Sequence, residues 1–334
     1  EYLTDPLGIG TPVPRLSWKQ FSSVDGEGQS AYQIIAASSL KLLTEKKADL
    51  WNSGRTESPE SILVRWKGEE LRSGAVCYWK VRIWDESGIV SDWSEAASFT
   101  TGLLENSDWK GYYIGLSDSS EFCASPRLKR NFSIEKLSGR YFIHVNSLGY
   151  HEVWINGSRV GTYVLSPAVS QFDKRSLALT YDITTFLNKG SNELILWTGQ
   201  GWYSKGLPGV KWTGPLVRAQ VERIEGRERE VILFTDSDWV ARASGYNTIG
   251  TWRPHQFGGE LVDGALLYGN QEEGNISWIP VSTVSLAEAK VSPQMTEPNR
   301  IKDTIRAASV TRINDSTWLA DMGTTLTGWF GIRF

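Results

Sequence analysis

Several groups of side chains in this 334-residue sequence have the types needed for chemistry, and their spacing decides how far each can be taken. Glu260 and Asp263 stand three residues apart in Gly258-Gly259-Glu260-Leu261-Val262-Asp263. Two carboxyls can cleave a glycosidic bond with inversion when one protonates the leaving oxygen and the other activates water, roughly 6.5–9.5 Å apart. A three-residue step in a glycine-rich loop does not oppose two carboxyls. The pair therefore reads as loop hydrogen bonding or, with Trp252, as a face turned toward another domain. Glu152 and Asp173 are also acidic, but no spacing joins them. Ser147 and His151 lie on two arms of one turn, which is not a nucleophilic triad. His144 falls inside a strand, and His255 falls in a proline-flanked loop. Cys77 and Cys123, with three scattered His, lack the spacing of a zinc site. No catalytic residue is assigned.

Aromatic residues offer more. The chain has 16 Trp against 2 Met. Indoles can fill a β-sandwich core, or they can stack on the apolar faces of sugar rings whose hydroxyls bond at the edge. The best binding candidates are Gln200, Trp202 and Tyr203 in Gly199-Gln200-Gly201-Trp202-Tyr203, together with Trp212. The two glycines let the backbone turn sharply and leave aromatics near a loop surface. The competing reading has Trp202 plugging the end of a sandwich.

The elements that must carry these residues are strands. Asn156-Gly157 is the preferred type I′ turn dipeptide, and Val153 and Ile155 alternate with Glu152 and Trp154 before it. The fold class expected is all-β, in three parts. Residues 1–102 form a fibronectin type III-like sandwich, with strands at Gln29–Ser38, Cys77–Asp85 and Ala96–Thr101. In it Trp18, Trp51, Trp79 and Trp84 pack in the core or at its edge, and one short helix is expected at Leu40–Lys47. Residues 103–285 form a larger jelly-roll sandwich, with strands at 127–134, 139–147, 151–156, 192–198, 216–224 and 229–236. Within it Asp182 caps a short helical turn, and the charged run Glu225–Glu230 is a hairpin loop in solvent. Residues 286–334 start a further β domain, with strands at 305–311, 317–321 and 329–334. So few strands are rarely stable alone, so the natural chain is expected to continue.

Composition excludes some partners. A net charge of −3 with mixed signs gives no basic field for nucleic acid. No stretch reaches the roughly 20 apolar residues of a membrane span. Cys77 and Cys123 fall in separate domains and are expected to be free thiols. The first residue is Glu1 rather than Met, which fits a processed or trimmed chain, and a periplasmic or secreted location is favoured.

Several motifs, in order, resemble the N-terminal region of bacterial α-L-rhamnosidases. They are Asp5-Pro6-Leu7-Gly8-Ile9, Pro14-Arg15-Leu16-Ser17-Trp18, Ala31-Tyr32-Gln33-Ile34, Trp51-Asn52-Ser53-Gly54, Tyr78-Trp79-Lys80-Val81-Arg82 and Ser91-Asp92-Trp93-Ser94. They continue through the Asn156-Gly157 hairpin, Thr180-Tyr181-Asp182-Ile183-Thr184, Gly201-Trp202-Tyr203, the Gly258–Asp263 loop, Asp321-Met322-Gly323 and Gly328-Trp329. The resemblance implies a parent enzyme that hydrolyses terminal α-L-rhamnose with inversion, from an (α/α)6 barrel beyond residue 334. Its partners would be a rhamnose-containing glycan and that downstream domain of the same polypeptide. No cofactor is implied, except that jelly-roll modules of this kind can hold calcium. The family's hairpin often continues arginine-valine-glycine-aspartate, whereas Gly161 here is followed by Thr162 and Tyr163. The family's proline-glycine-tryptophan is replaced by Pro167-Ala168-Val169. Two other readings remain: a free-standing carbohydrate-binding sandwich, and an interaction scaffold.

Overall fold

Period-2 alternation in Gln29–Ala37 and Val76–Asp85 lets the two strands pair antiparallel, Tyr32 opposite Ile83 and Ile34 opposite Val81. In the computed structural model, which describes residues 3–116, 123–203, 208–210, 212, 214–250, 258–268, 277–286 and 290–332, these strands centre the first sandwich. Trp51–Asn52, Thr56–Glu57 and Ala97–Thr100 extend their sheet, and Arg15–Leu16 pairs with Val64–Arg65 opposite. Tyr32, Ile34, Trp51, Trp66, Val81 and Phe99 fill the core. Trp18 meets Tyr32 edge-on at 5.2 Å, and Trp79 packs against the same core. Trp84 sits at the edge instead, with the Arg55 and Arg82 guanidiniums 5.0 and 5.3 Å from its ring. The helix expected at Leu40–Lys47 shrinks to a 3-10 turn, Leu40–Leu42, because Ser39 makes no capping bond and one turn cannot sustain helix nucleation.

The second sandwich begins after a short linker. Its larger sheet runs in the order Ser282–Val284, Tyr113–Gly115, Leu216–Glu225, Arg140–Leu148, Arg175–Asp182 and Lys290–Pro293, with Glu228–Phe234 also on Leu216–Glu225. The smaller sheet runs Ser158–Val160, Tyr150–Ile155, Gly190–Gly199, Arg127–Ile134, Val240–Arg242 and Ile279–Pro280. Asn156 and Gly157 both adopt positive φ, so the hairpin turn forms as the dipeptide demands. Ile143, Val145, Leu179, Tyr181, Ala219 and Val221 face Leu128, Val153, Ile155, Leu194 and Leu196 across the core. The expected helical turn is a 3-10 turn at Thr184–Phe186. Asp182 sits one position outside its cap but accepts the Thr184 N–H at 3.0 Å.

Three sequence-level expectations need revision. The sheet continues past residue 286, since Lys290–Pro293 adds in parallel to Arg175–Asp182. Ser309–Arg312 and Trp318–Asp321 form a hairpin that pairs with no other described strand, and no strand forms over 329–332. The charged turn at 225–230 is not free in solvent. Arg227 Nε donates to Asp49 Oδ2 at 3.0 Å, and its Nη atoms donate to both Glu69 oxygens at 3.0 and 2.8 Å. Among the described residues, no helix is long and apolar enough to cross a membrane.

Docking of the two sandwiches covers the outer face of the larger sheet. Val76, Phe142 and Ile224 meet there, with Leu7 and Tyr78 against them. Beside them Glu222 is fully buried, its carboxylate gripped by Arg229 through Nε and Nη2, both at 2.6 Å. Gln220 also donates to it, and His144 Nε2 lies 3.6 Å away, while His144 Nδ1 is hydrogen-bonded to Thr180 at 2.9 Å. Gly74 of the first sandwich closes the site. Its φ is positive, and a Cβ there would stand 2.9 Å from Glu222 Oε2, so only glycine fits. Burial raises the Glu222 pKa, but His144 and Arg229 overcome it and hold the group at about 2.

Removing one partner of a buried pair strands a charge. Arg229→Leu is therefore expected to cost about 3 kcal/mol, whereas Glu222→Leu/Arg229→Leu costs distinctly less. Urea midpoints of the two variants measure this, and equal losses would contradict the pairing.

Candidate functional site

The Gly199–Tyr203 segment leaves the strand Gly190–Gly199 at the end of the sandwich. The Gln200 backbone N–H bonds the Ala124 carbonyl at 2.8 Å, and its own carbonyl accepts from Tyr203 N at 2.9 Å, so the turn is pinned on both sides. The turn sends its two aromatics opposite ways. Trp202 is 56% exposed, while Tyr203 is 1% exposed and packs edge-on against Phe172 with centroids 5.2 Å apart. Tyr203 is thus a core residue with Leu148, Leu216 and Val284, and it cannot stack a ligand. Trp212 packs half-buried against the same cluster.

Trp202 instead works with a residue that motif reading passed over. Its side chain hydrogen-bonds Tyr150, whose hydroxyl pKa is raised by burial and eased by that bond. Trp202 and Tyr150 line a cleft together with Ser147, Pro167, Ala168, Val169 and Phe172. Free volume in the cleft is about 10 Å³, the room of one water. A pyranose ring cannot enter so small a space, and the exposed part of Trp202 lies open to solvent.

Ser147 and His151 do come together, Oγ to Nδ1 at 2.7 Å, and His151 Nε2 meets the Tyr181 hydroxyl at 2.9 Å. This line crosses the sandwich interior from one sheet to the other. Burial drives the His151 pKa down to about 3, so the imidazole is neutral at pH 7. A tyrosine stands where a triad needs an acid, and all three side chains are buried. The line fastens the two sheets and does not activate a nucleophile.

Nor do the acids form a pair. Glu260 is exposed on the hairpin of Tyr246–Ile249 with Gly259–Val262. Asp263 Oδ1 accepts the Ala265 N–H at 3.0 Å. It also accepts the Leu266 N–H at 3.3 Å, which caps Gly264–Tyr268. Trp252 and His255 lie outside the described residues. Glu152 is ion-paired to Arg159 at 3.0 Å. A general acid at neutral pH needs a raised pKa. Both described carboxyls whose pKa moves, Asp49 and Glu222, go down: burial raises each, but Ser38 and Arg227 outweigh it at Asp49, as His144 and Arg229 do at Glu222.

Comparison with known proteins gives this arrangement a context. Residues 1–105 match the family described as "Rha78A-like, N-terminal immunoglobulin domain", and residues 138–303 match "Alpha-L-rhamnosidase N-terminal domain". The chain belongs to the α-L-rhamnosidase family. It is 31% identical to an α-L-rhamnosidase of Alteromonas sp. and 29% identical to one of Formosa agariphila, each alignment covering 98% of this chain. It spans only 37% of the length of each of those relatives. Among solved structures, the α-L-rhamnosidase of Dictyoglumus thermophilum superposes with a TM-score of 0.83 at 28% identity, over 98% of this chain and 38% of that one. A Streptomyces avermitilis α-L-rhamnosidase complexed with L-rhamnose shares the fold, with a TM-score of 0.82 at 20% identity over 96% of this chain and 48% of that one.

The calcium reading can be tested on donors present in this rhamnosidase-family chain. Thr162 replaces the carboxylate, and its hydroxyl accepts from Arg300 Nη1 at 2.6 Å. The same guanidinium lies 4.6 Å from the Tyr163 ring. A fixed positive charge repels a dication, and among the described residues no cluster of three His, Cys, Asp or Glu could hold a metal. The residues here do not fit calcium.

Two buried groups set opposite ends of an acid profile. The unfolded chain protonates His151 below 6.5, but the folded chain refuses that proton down to about 3, so stability falls with pH across this window. Glu222, lowered from 4.5 to about 2, adds a second loss only below 4.5. Denaturation midpoints are therefore expected to fall between pH 6.5 and 4.5 in the parent and to flatten there in His151→Gln. An unchanged slope would remove His151 as the cause.

Proposed function

We propose that this chain is a non-catalytic, carbohydrate-binding and supporting region of a glycoside hydrolase that removes terminal α-L-rhamnose. The observation that carries this reading is the order of matches: two N-terminal rhamnosidase families along one chain, which together leave most of each curated relative's length unmatched. The described acids support it, since each described candidate is capped, ion-paired or exposed without an opposed partner. Hydrolysis with inversion would fall to residues of the whole polypeptide outside this region, with Glu260 and Asp263 on a loop that faces them. A rhamnose-containing glycan is the ligand class for the Trp202 face. There the exposed indole offers an apolar platform, and the half-buried Gln200, two residues earlier in the chain, carries an amide.

Calorimetric titration with L-rhamnose and a rhamnosyl oligosaccharide tests the site. Binding is expected to be weak, since one open indole replaces an enclosed pocket, and Trp202→Ala should lower it at least about tenfold, roughly 1.4 kcal/mol. Tyr150→Phe should weaken it less, because the ring wall remains. Rhamnose binding that survives Trp202→Ala unchanged would move the site elsewhere. Equal weakening by Tyr203→Leu and Trp202→Ala would mean the loop acts through folding alone.

A further inference from the structure

The outer face of the smaller sheet carries a row of side chains that neither the Trp202 cleft nor the seam between the sandwiches uses. Strand register sets the row directly. Glu152 stands opposite Trp197, Trp197 opposite Arg127, and Arg127 opposite Arg242. Trp278, just ahead of Ile279–Pro280, continues it beyond Arg242, with the Arg242 guanidinium 4.9 Å from its ring. The Arg127 guanidinium lies 4.0 Å from the Trp197 ring, and Lys129 Nζ lies 4.2 Å from Trp278. Five strands at about 4.8 Å spacing make a strip about 19 Å long. Along it the two guanidiniums stand side by side, with one indole at each flank.

Charge on this strip is unanswered. The nearby acids are already committed, Glu193 to Lys129 at 3.5 Å and Glu152 to Arg159 at 3.0 Å. Arg127 and Arg242 are cross-strand neighbours of like charge, an arrangement that destabilises a sheet pair. No carboxylate among the described residues bridges either one, and the Nε of each is shut from solvent without a hydrogen-bond partner among them. Burial and the neighbouring Arg242 both push the Arg127 pKa down. Packing on indoles does hold the guanidinium planes in place and leaves in-plane donors for an anion.

We propose that this face binds an acidic polysaccharide, with uronate carboxylates on Arg127 and Arg242 and sugar rings on Trp197 and Trp278. A guanidinium fork matches a carboxylate in two parallel hydrogen bonds, which favours a uronate over a neutral sugar. The strip is too long for one small anion. Two guanidiniums set in a straight row between two indoles suit an extended chain that presents carboxylates and sugar faces together, rather than the irregular relief of a folded protein partner. This surface is separate from the Trp202 cleft, none of whose lining residues lies in the row. The proposal therefore stands or falls independently of rhamnose binding.

Affinity electrophoresis of the whole natural polypeptide through gels containing polygalacturonate, alginate or hyaluronan tests it, with hydroxyethylcellulose as the neutral gel and polyglutamate as a polyanion without sugar rings. At least one polyuronate should retard the protein, hydroxyethylcellulose should not, and polyglutamate should retard it less. Arg127→Gln/Arg242→Gln should lose at least tenfold in affinity, with an unfolding midpoint no lower than the parent's because a repulsion is relieved. Arg242→Lys, which keeps the charge and loses the fork, should fall between. Trp202→Ala should leave the retardation unchanged. Retardation by none of the polyuronates, equal retardation by polyglutamate, or an undiminished double variant would each overturn the proposal. A double variant that instead changes oligomeric state without changing retardation would assign the face to a second copy of the chain, which also overturns it.

Discussion

A buried carboxylate lies at the seam where the two sandwiches dock. Glu222 sits on the outer face of the larger sheet, where a lone antiparallel sandwich would normally meet water. Arg229 grips it from the next strand, His144 and Gln220 crowd it, and Gly74 of the first sandwich closes over it. An ion pair in such a place is weak evidence of net stability, because desolvation offsets much of the attraction. Its consequence is geometric. The pair stays dry only while the sandwiches stay docked, and Arg227 reaching Asp49 and Glu69 holds the same edge from the surface. A sheet covered on this side has only its other layer left for ligands.

That division explains which surfaces stay open. The larger sheet is spent on the core and the seam. The smaller sheet keeps its outer face, with Trp154, Trp197, Arg127 and Arg242 half-buried on it, and the sandwich end keeps Trp202. Inside, the Ser147–His151–Tyr181 line spans both sheets and stays neutral, so the polar core costs no buried charge. The chain thus resembles a scaffold with surfaces, with Asp263 serving a cap and Glu152 an ion pair.

Local rules made much of the fold legible. Asn156-Gly157 requires two positive φ values and has them, and the strand expected at 127–134 forms as Arg127–Ile134. What local rules missed depends on contacts between distant residues. Arg227 looked like part of a solvated loop because its partners, Asp49 and Glu69, lie in another domain. Tyr203 and Trp202 are adjacent and similarly aromatic, and only the pinned turn at Gln200 decides which one turns inward. Tyr150 lies on the strand leading into the Asn156-Gly157 turn, and its bond to Trp202 depends on that strand pairing with Gly190–Gly199. The Arg127–Arg242 row could not be read at all before the register was known, since its members come from well-separated strands.

On the proposed function, these β-sandwiches support and bind but do not cleave. Hydrolysis of an aryl α-L-rhamnoside by residues 1–334 alone, followed against buffer and against the whole natural polypeptide, tests it most directly. No turnover above buffer is predicted for the segment. Turnover by the segment that disappears in Glu260→Gln would contradict the claim and put a working acid on the exposed loop.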